Sequence, residues 1–222
     1  MTIITHEQVL GTRRRPSAPG WLRTDARSYH DGFKRWMDLV LTVGLGLASL
    51  PLLLLGMLLV RLTSSGPVFF RQTRVGRDGR TFEIVKLRTM VQDAERGTGA
   101  VWACEGDPRI TPVGRFLRRT RIDELPQFWN VLRGDMSLVG PRPERPEFHE
   151  ELGRQLPGFH RRIAVRPGLT GRAQVEFQYC GTVEEMRVKL RHDLQYIREM
   201  GLSTDLSLLL RTVFVVLRAA GR

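Results

Sequence analysis

Cysteine is nearly absent from this 222-residue chain, with Cys104 and Cys180 as the only two. They match neither a zinc spacing nor a disulfide framework, which excludes a stapled secreted scaffold and points to a reducing compartment. The five histidines give no metal cluster, and His149, His160 and His192 lack ligand spacing, so none is assigned chemistry. No Walker A pattern occurs, and the "GLG" of Gly44 to Gly46 lies inside an apolar run, where it is not a nucleotide fingerprint. Internal repeats are also missing. Acidic residues are outnumbered, 23 Asp and Glu against 35 Lys and Arg, for a formal net charge of +12. That surplus selects an anionic partner: nucleic acid, a phosphorylated substrate or an acidic membrane surface. The length suffices for one well-cored domain with appendages.

One stretch has no charge at all. From Leu39 to Val60 the sequence reads "LVLTVGLGLASLPLLLLGMLLV", 22 residues between Asp38 and Arg61. This passes the ~18-residue threshold for a membrane segment, and it starts too far into the chain for an ordinary cleaved signal peptide. A spanning helix of this length would reach about 33 Å. Two features oppose a straight span. Pro51 near the middle lacks an N–H and clashes with the carbonyl four residues back. Basic residues also flank both ends, Lys34 and Arg35 before, Arg61 and Arg71 after, although positive charge marks one membrane face. A re-entrant hairpin and a kinked span both remain open, and Ser49 stands ready to satisfy backbone freed at a break.

Residues 1–33, with "GTRRRPSAPG" at their centre, read as a flexible basic arm that touches anionic headgroups. Nothing downstream supports a nucleic-acid partner. Residues 34–65 form the membrane element and 66–222 a catalytic domain. Within the latter, "VFFRQTRVGRDGRTFEIVKLRTM" alternates as a β-hairpin turning at Gly76 to Gly79. Thr182 and Glu185 have capping-box spacing before a helix through Met186, Leu190, Leu194 and Ile197. A last helix, about Thr204 to Arg218, is apolar enough either to lie in the membrane interface or to fill the core. The expected class is α+β, mostly helical: a small β-hairpin, amphipathic interfacial helices and a membrane hairpin.

The chemistry concentrates in "RTRIDELPQFWNVLRGDMSLVGPRPE". Leu125, Phe128, Trp129 and Leu132 repeat at helical spacing, which puts Asp123 at or near an N-cap. Capping does not explain why Glu124 follows directly, nor the guanidiniums of Arg115, Arg118, Arg119, Arg121, Arg133 and Arg142. A helix start ringed by arginines is an anion site. Carboxylates there oppose a bound phosphate unless a cation intervenes, and Mg²⁺ takes one or two carboxylates with phosphate and water. Asp123 could also attack phosphorus itself. Lys86 and Arg88 share a strand face, Arg142 is stiffened between two prolines, and "RPGLTGRAQ" offers a weak Gly-rich cradle. The competing reading is a membrane-tethered, non-catalytic anion-binding module with the dyad as a mere cap.

From Lys34 to about Leu217 the chain closely resembles the monotopic phosphoglycosyl transferases. The resemblance runs through "KRWMD", "GPVFFRQTRVGRDGRTFEIVKLRTM", "DPRITPVGRFLRRT", "IDELPQFWNVLRGDMSLVGPRPE", "PGLTGRAQ" and "DLQYIREMGLSTDLSLLLRTV". It implies a re-entrant helix broken at a Ser-Pro pair, with the soluble part on the cytoplasmic face of the bacterial inner membrane. It implies transfer of a sugar 1-phosphate from a UDP-sugar to undecaprenyl phosphate, releasing UMP, with Mg²⁺. The family dyad falls on Asp123, the nucleophile, and Glu124, for metal or proton handling; both are the implied metal ligands. Lys86, Arg88 and Arg142 match positions near the phosphates. Inner-membrane lipid is the implied surrounding, and a homodimer is left open. Leu50 splits Ser49 from Pro51, and "KLRTM" stands where the family has "KFRTM". The short form, without an upstream membrane domain, is the expectation.

Overall fold

The computed structural model describes residues 24–97, 99, 101–102, 106–177 and 182–218. Most of the expected basic arm and both cysteines lie outside the described residues. Within the stretch expected as arm, α1 spans Thr24–Asp31 and leads into α2, Phe33–Thr63.

Helix α2 is about 46 Å long at 1.5 Å per residue. The break expected at Pro51 is not shown: α2 is assigned as one helix through the proline. The Ser49 hydroxyl donates to the Gly46 carbonyl at 3.3 Å, inside its own turn, rather than to the carbonyl of residue 47 that Pro51 leaves without its usual donor. One stripe of α2 faces protein. Asp38, Thr42, Gly56 and Val60 are buried, with Gly46, Ser49 and Leu53 partly covered between them, at the i, i+3/i+4 interval of a helix face. The opposite side, including Val43, Leu47, Leu54, Leu58 and Leu62, is exposed.

Both ends of α2 are fixed to the same body. At the start, Arg35 donates to the carbonyls of Val131 and Leu132 at 2.6 and 2.9 Å, and Asp38 accepts from the Leu138 amide at 3.2 Å. At the far end Val60 packs with Leu87 and Leu117 in one apolar cluster. Gly56 lets the helix approach, since a Cβ there would sit 2.8 Å from Leu87 and 3.0 Å from Ile122.

The expected hairpin is present. β1 (Phe69–Val75) pairs antiparallel with β2 (Thr81–Leu87), Phe70 opposite Lys86, around a short turn at Arg77–Gly79. Then come α3 (Pro112–Thr120), a 3₁₀ turn (Ile122–Gln127) and α4 (Phe128–Arg133). A second, parallel pair joins β3 (Ser137–Val139) to β4 (Gly168–Thr170). Helix α5 (Pro146–Gln155) and the five-residue α6 (Arg172–Glu176) precede α7 (Val183–Glu199) and α8 (Leu202–Leu217). The Thr182–Glu185 capping box opens α7 as expected.

The main core gathers Val131, Met136, Leu138, Tyr196, Ile197 and Leu208 from α4, β3, α7 and α8. Beyond Leu208 and Leu209, α8 turns Leu206, Leu210, Val213 and Phe214 outward, so its apolar residues are divided between core and surface. With α2, Phe116 of α3 and Trp129 of α4, these side chains give the protein an unusual amount of exposed apolar surface. Surface of this kind marks membrane contact, and the long apolar helix makes the chain membrane-associated.

Candidate active site

Asp123 and Glu124 lie inside the 3₁₀ turn, not at the cap of an α-helix. The expected helix run is divided between this turn, which holds Pro126, and α4, while Arg121 in left-handed backbone (φ 60°) separates the turn from α3. The expected apolar face is divided: Trp129 is 58% exposed, Leu125 and Leu132 are half-buried and Phe128 packs on the core, whereas Gln127, Asn130 and Val131 are buried. Asn130 holds this segment to the hairpin, accepting from the Val85 amide at 3.1 Å and donating to the Glu83 carbonyl at 2.7 Å. That register sets the dyad beside Lys86, the next inward residue on β2.

The two carboxylates have opposite environments. Glu124 is fully engaged: Oε1 accepts from Arg142 at 2.6 Å and Lys86 at 3.1 Å, and Oε2 from Arg121 at 3.3 Å. Burial alone would raise its pKa, but the charges of Arg142, Lys86 and Arg121 overcome that and hold it well below the usual range. Asp123 is 6% exposed, and its Oδ1 is buried without a hydrogen-bond partner. Burial first, and then the Glu124 charge, push its pKa up to about 6 against the pull of Lys86, Arg118 and Arg142. Burial lowers Lys86 to about 8 despite Glu124 beside it. Arg142 is pushed up, mainly by Glu124.

The pair lines a cavity of about 850 Å³, within the size range of small-molecule sites. Lys86, Arg88, Arg118, Arg121 and Arg142 share its walls. Arg88 has a double duty: its Nη2 donates to the Ser64 carbonyl and hydroxyl at 2.9 and 2.8 Å, clasping the end of α2, while Nε and Nη1 stay buried without a partner. Ser49 and Pro51 are not among the lining residues. Nor is "RPGLTGRAQ", which does structural work instead: a Cβ on Gly168 would lie 2.1 Å from the Gly140 amide, so glycine is needed where β4 meets β3. Asp107 and Arg109 form an ion pair at 2.6 Å.

Sequence reasoning missed Arg74. It lines the cavity and donates to the Pro143 carbonyl at 3.0 Å, helping to set the segment that carries Arg142. Its only signal was its inward register on β1, opposite Phe82. Arg162 was missed too; it donates to the Arg142 carbonyl at 2.9 Å and to Asp193 at 2.7 Å. No sequence spacing links residues so far apart.

Chemically, the arrangement offers a bare carboxylate oxygen as nucleophile or ligand, with several cations to neutralise phosphate. No group of three or more His, Cys, Asp or Glu is set to hold a metal among the described residues. Mg²⁺ needs only one or two carboxylates when phosphate and water complete its shell, and the bare Asp123 oxygen fits that role.

Fold and site together define a membrane-associated protein with a buried carboxylate pair among basic side chains. The chain belongs to the bacterial sugar transferase family, whose profile matches residues 29–219. It is 48% identical over 182 residues to the UDP-glucose:undecaprenyl-phosphate glucose-1-phosphate transferase of Caulobacter vibrioides, covering 81% of this chain and 68% of that protein. It is 44% identical over 189 residues to the UDP-N-acetylgalactosamine-undecaprenyl-phosphate N-acetylgalactosaminephosphotransferase of Aeromonas hydrophila, covering 85% of this chain and 44% of the relative. The UDP-glucose:undecaprenyl-phosphate glucose-1-phosphate transferase of Escherichia coli K12 is 43% identical over 183 residues. The chain spans 39% of that protein's length, so like the Aeromonas relative it extends well beyond the shared region.

Proposed function

We propose that this protein transfers a sugar 1-phosphate from a UDP-sugar to undecaprenyl phosphate, releasing UMP and starting polysaccharide assembly. The observation that carries the proposal is the buried, unpartnered Oδ1 of Asp123 beside a Glu124 held by three cations. An Asp123 oxygen attacks the sugar-bearing phosphorus; the phosphoanhydride bond breaks, and its bridging oxygen leaves with UMP. The aspartyl-phosphate so formed is then attacked by an oxygen of the lipid phosphate, which takes the phosphosugar and frees the carboxylate. Neither step needs much proton chemistry, but both gather negative charge, which Lys86, Arg118 and Arg142 offset. Glu124 orients Arg142 and Lys86 toward the phosphates. Mg²⁺, implied by the family, would be held by the bare oxygen of Asp123, since both Glu124 oxygens are taken by cations, and would supply further charge neutralisation.

The placement we favour is monotopic, on the cytoplasmic face of the inner membrane, with residues 34–65 dipping into the lipid and 66–222 catalytic. Both ends of α2 pack on one body, as Arg35 with Val131 and Val60 with Leu117 attest. A helix crossing the bilayer would carry its ends to opposite faces, about 30 Å apart. A re-entrant bend about Pro51 reconciles that anchorage with the exposed apolar side.

The test is UMP release from a panel of UDP-sugars, with undecaprenyl phosphate and Mg²⁺, by wild type and Asp123→Asn in parallel. Release by wild type alone is expected. Release by both would remove the covalent step, and release by neither from any donor would overturn the transferase reading.

A further inference from the structure

The cavity has two ends of different character. At the α2 end, Pro67, Phe69 and Phe70 line it next to Arg88, whose guanidinium clasps Ser64. At the other end lie Trp102 and Phe148, their ring centroids 4.9 Å apart and their planes tilted by 46°. This aromatic pair packs against the cluster of Leu152, Leu156, Phe159, Met186 and Leu190, which contains no residue of α2. Helix α2 thus takes no part in the packing behind the aromatic pair. Neither ring is used by the chemistry at Asp123, and both are only half-buried.

The geometry points to a nucleobase-binding end at Trp102 and Phe148. This deepens the donor assignment proposed above and rests on it. In a nucleoside diphosphate sugar the reacting phosphorus must lie at Asp123, and the acceptor phosphate must arrive from the α2 side. The nucleoside then extends the other way. Arg142 and Phe148 bound the route: five residues of chain lie between them, and the segment from Arg142 to Arg145 can span at most ~11 Å, a reach comparable to that from a base to its diphosphate. Arg145 stands on this path with its guanidinium 5.6 Å from the Phe148 centroid, held there by Glu95 at 2.8 Å. A flat base can stack on the part of the aromatic pair that lines the cavity, while a sugar ring bearing hydroxyls on both faces gains less from it. Base–aromatic stacking is sequence-tolerant because every base has a π-face, so this end would supply affinity, and polar groups around it would supply base choice.

The test uses the full-length protein in detergent with UMP as probe. Isothermal titration of UMP gives binding without turnover; steady-state assays give KM for donor and for undecaprenyl phosphate separately. Trp102→Ala is expected to weaken UMP binding and raise donor KM about tenfold, the factor that stacking loss implies, with the KM for the lipid unmoved. Trp102→Phe should restore most of both. Inorganic phosphate, which lacks a base, should compete equally against all three proteins. UMP binding unchanged in Trp102→Ala, or no UMP binding by wild type, would overturn the assignment. A rise in lipid KM instead would give this end to the acceptor. If UMP binds through Trp102 but wild type transfers nothing from any donor, the transferase reading fails while the base site stands.

Discussion

Two clusters of buried charge sit about α2, and they are built on opposite rules. At its start, Lys34 reaches Asp205 at 2.5 Å. Asp205 also bonds the hydroxyls of Tyr29 and Tyr196 at 2.9 and 2.8 Å, and Asp38 takes the Leu138 amide. Both oxygens of Asp205 have partners. In the cavity, Glu124 is equally saturated, but Asp123 keeps a buried oxygen with none. Burying charge is costly unless it is paired and hydrogen-bonded. A cluster that settles the cost completely is structural: it rivets α1, α2, α7 and α8 together. A cluster that leaves one oxygen bare can hold it for a ligand, and on the function proposed above that ligand is phosphate.

The contrast predicts a double dissociation, which is the largest effect. Asp123→Asn should lower turnover by at least ~10³-fold, as loss of a catalytic nucleophile does, while thermal unfolding in detergent stays at or slightly above wild type because an unpaired charge has gone. Asp205→Ala should do the reverse in kind, costing about 3–5 kcal/mol by stranding buried Lys34; Asp205→Asn is the milder variant if the first does not fold. Strong destabilisation by Asp123→Asn would mean that both clusters are structural.

The next effect is smaller and concerns Arg142. Its fork reaches Glu124, and its backbone is held by Arg162. Lysine keeps the charge but not the planar pair of donors. Arg142→Lys should therefore lower kcat/KM about 10²-fold, mostly through transition-state charge, with little change in stability. Arg162→Lys should lower it less, through misplacement of Arg142. An Arg142→Lys enzyme close to wild type would show that point charge alone suffices.

The sequence already contained the hairpin and its turn, because Phe82 and Ile84 alternate across Gly-bounded strands, and the capping box at Thr182 is a purely local signal. The dyad and its cations were legible as a cluster. What periodicity could not reveal was direction. Leu125, Phe128 and Trp129 satisfy a helix pattern, yet the pattern is the same for a face turned toward lipid as for one turned toward the core. The three-residue strands β3 and β4 are too short to alternate, and the glycines that bring them together looked instead like a phosphate loop. Lys34 and Asp205 are 171 positions apart, and only the tertiary fold makes them neighbours.

The subtlest way to sharpen the comparison is pH. On the proposed mechanism catalysis needs Asp123 ionised, and burial raises its pKa to about 6; activity should therefore rise with pH through that region, losing about tenfold for each unit below it. Phosphate binding needs Lys86 charged, and its pKa is lowered to about 8, so kcat/KM should fall again as pH passes that value. Glu124→Gln moves both limbs in one direction. Removing the Glu124 charge takes away repulsion that raises Asp123, so the acidic limb shifts down. The same change removes the attraction that keeps Lys86 protonated, so the alkaline limb shifts down too. Profiles of kcat/KM for the two proteins measure this directly. An acidic limb at the ordinary aspartate value, unmoved by Glu124→Gln, would mean that Asp123 is not the group whose ionisation starts the reaction.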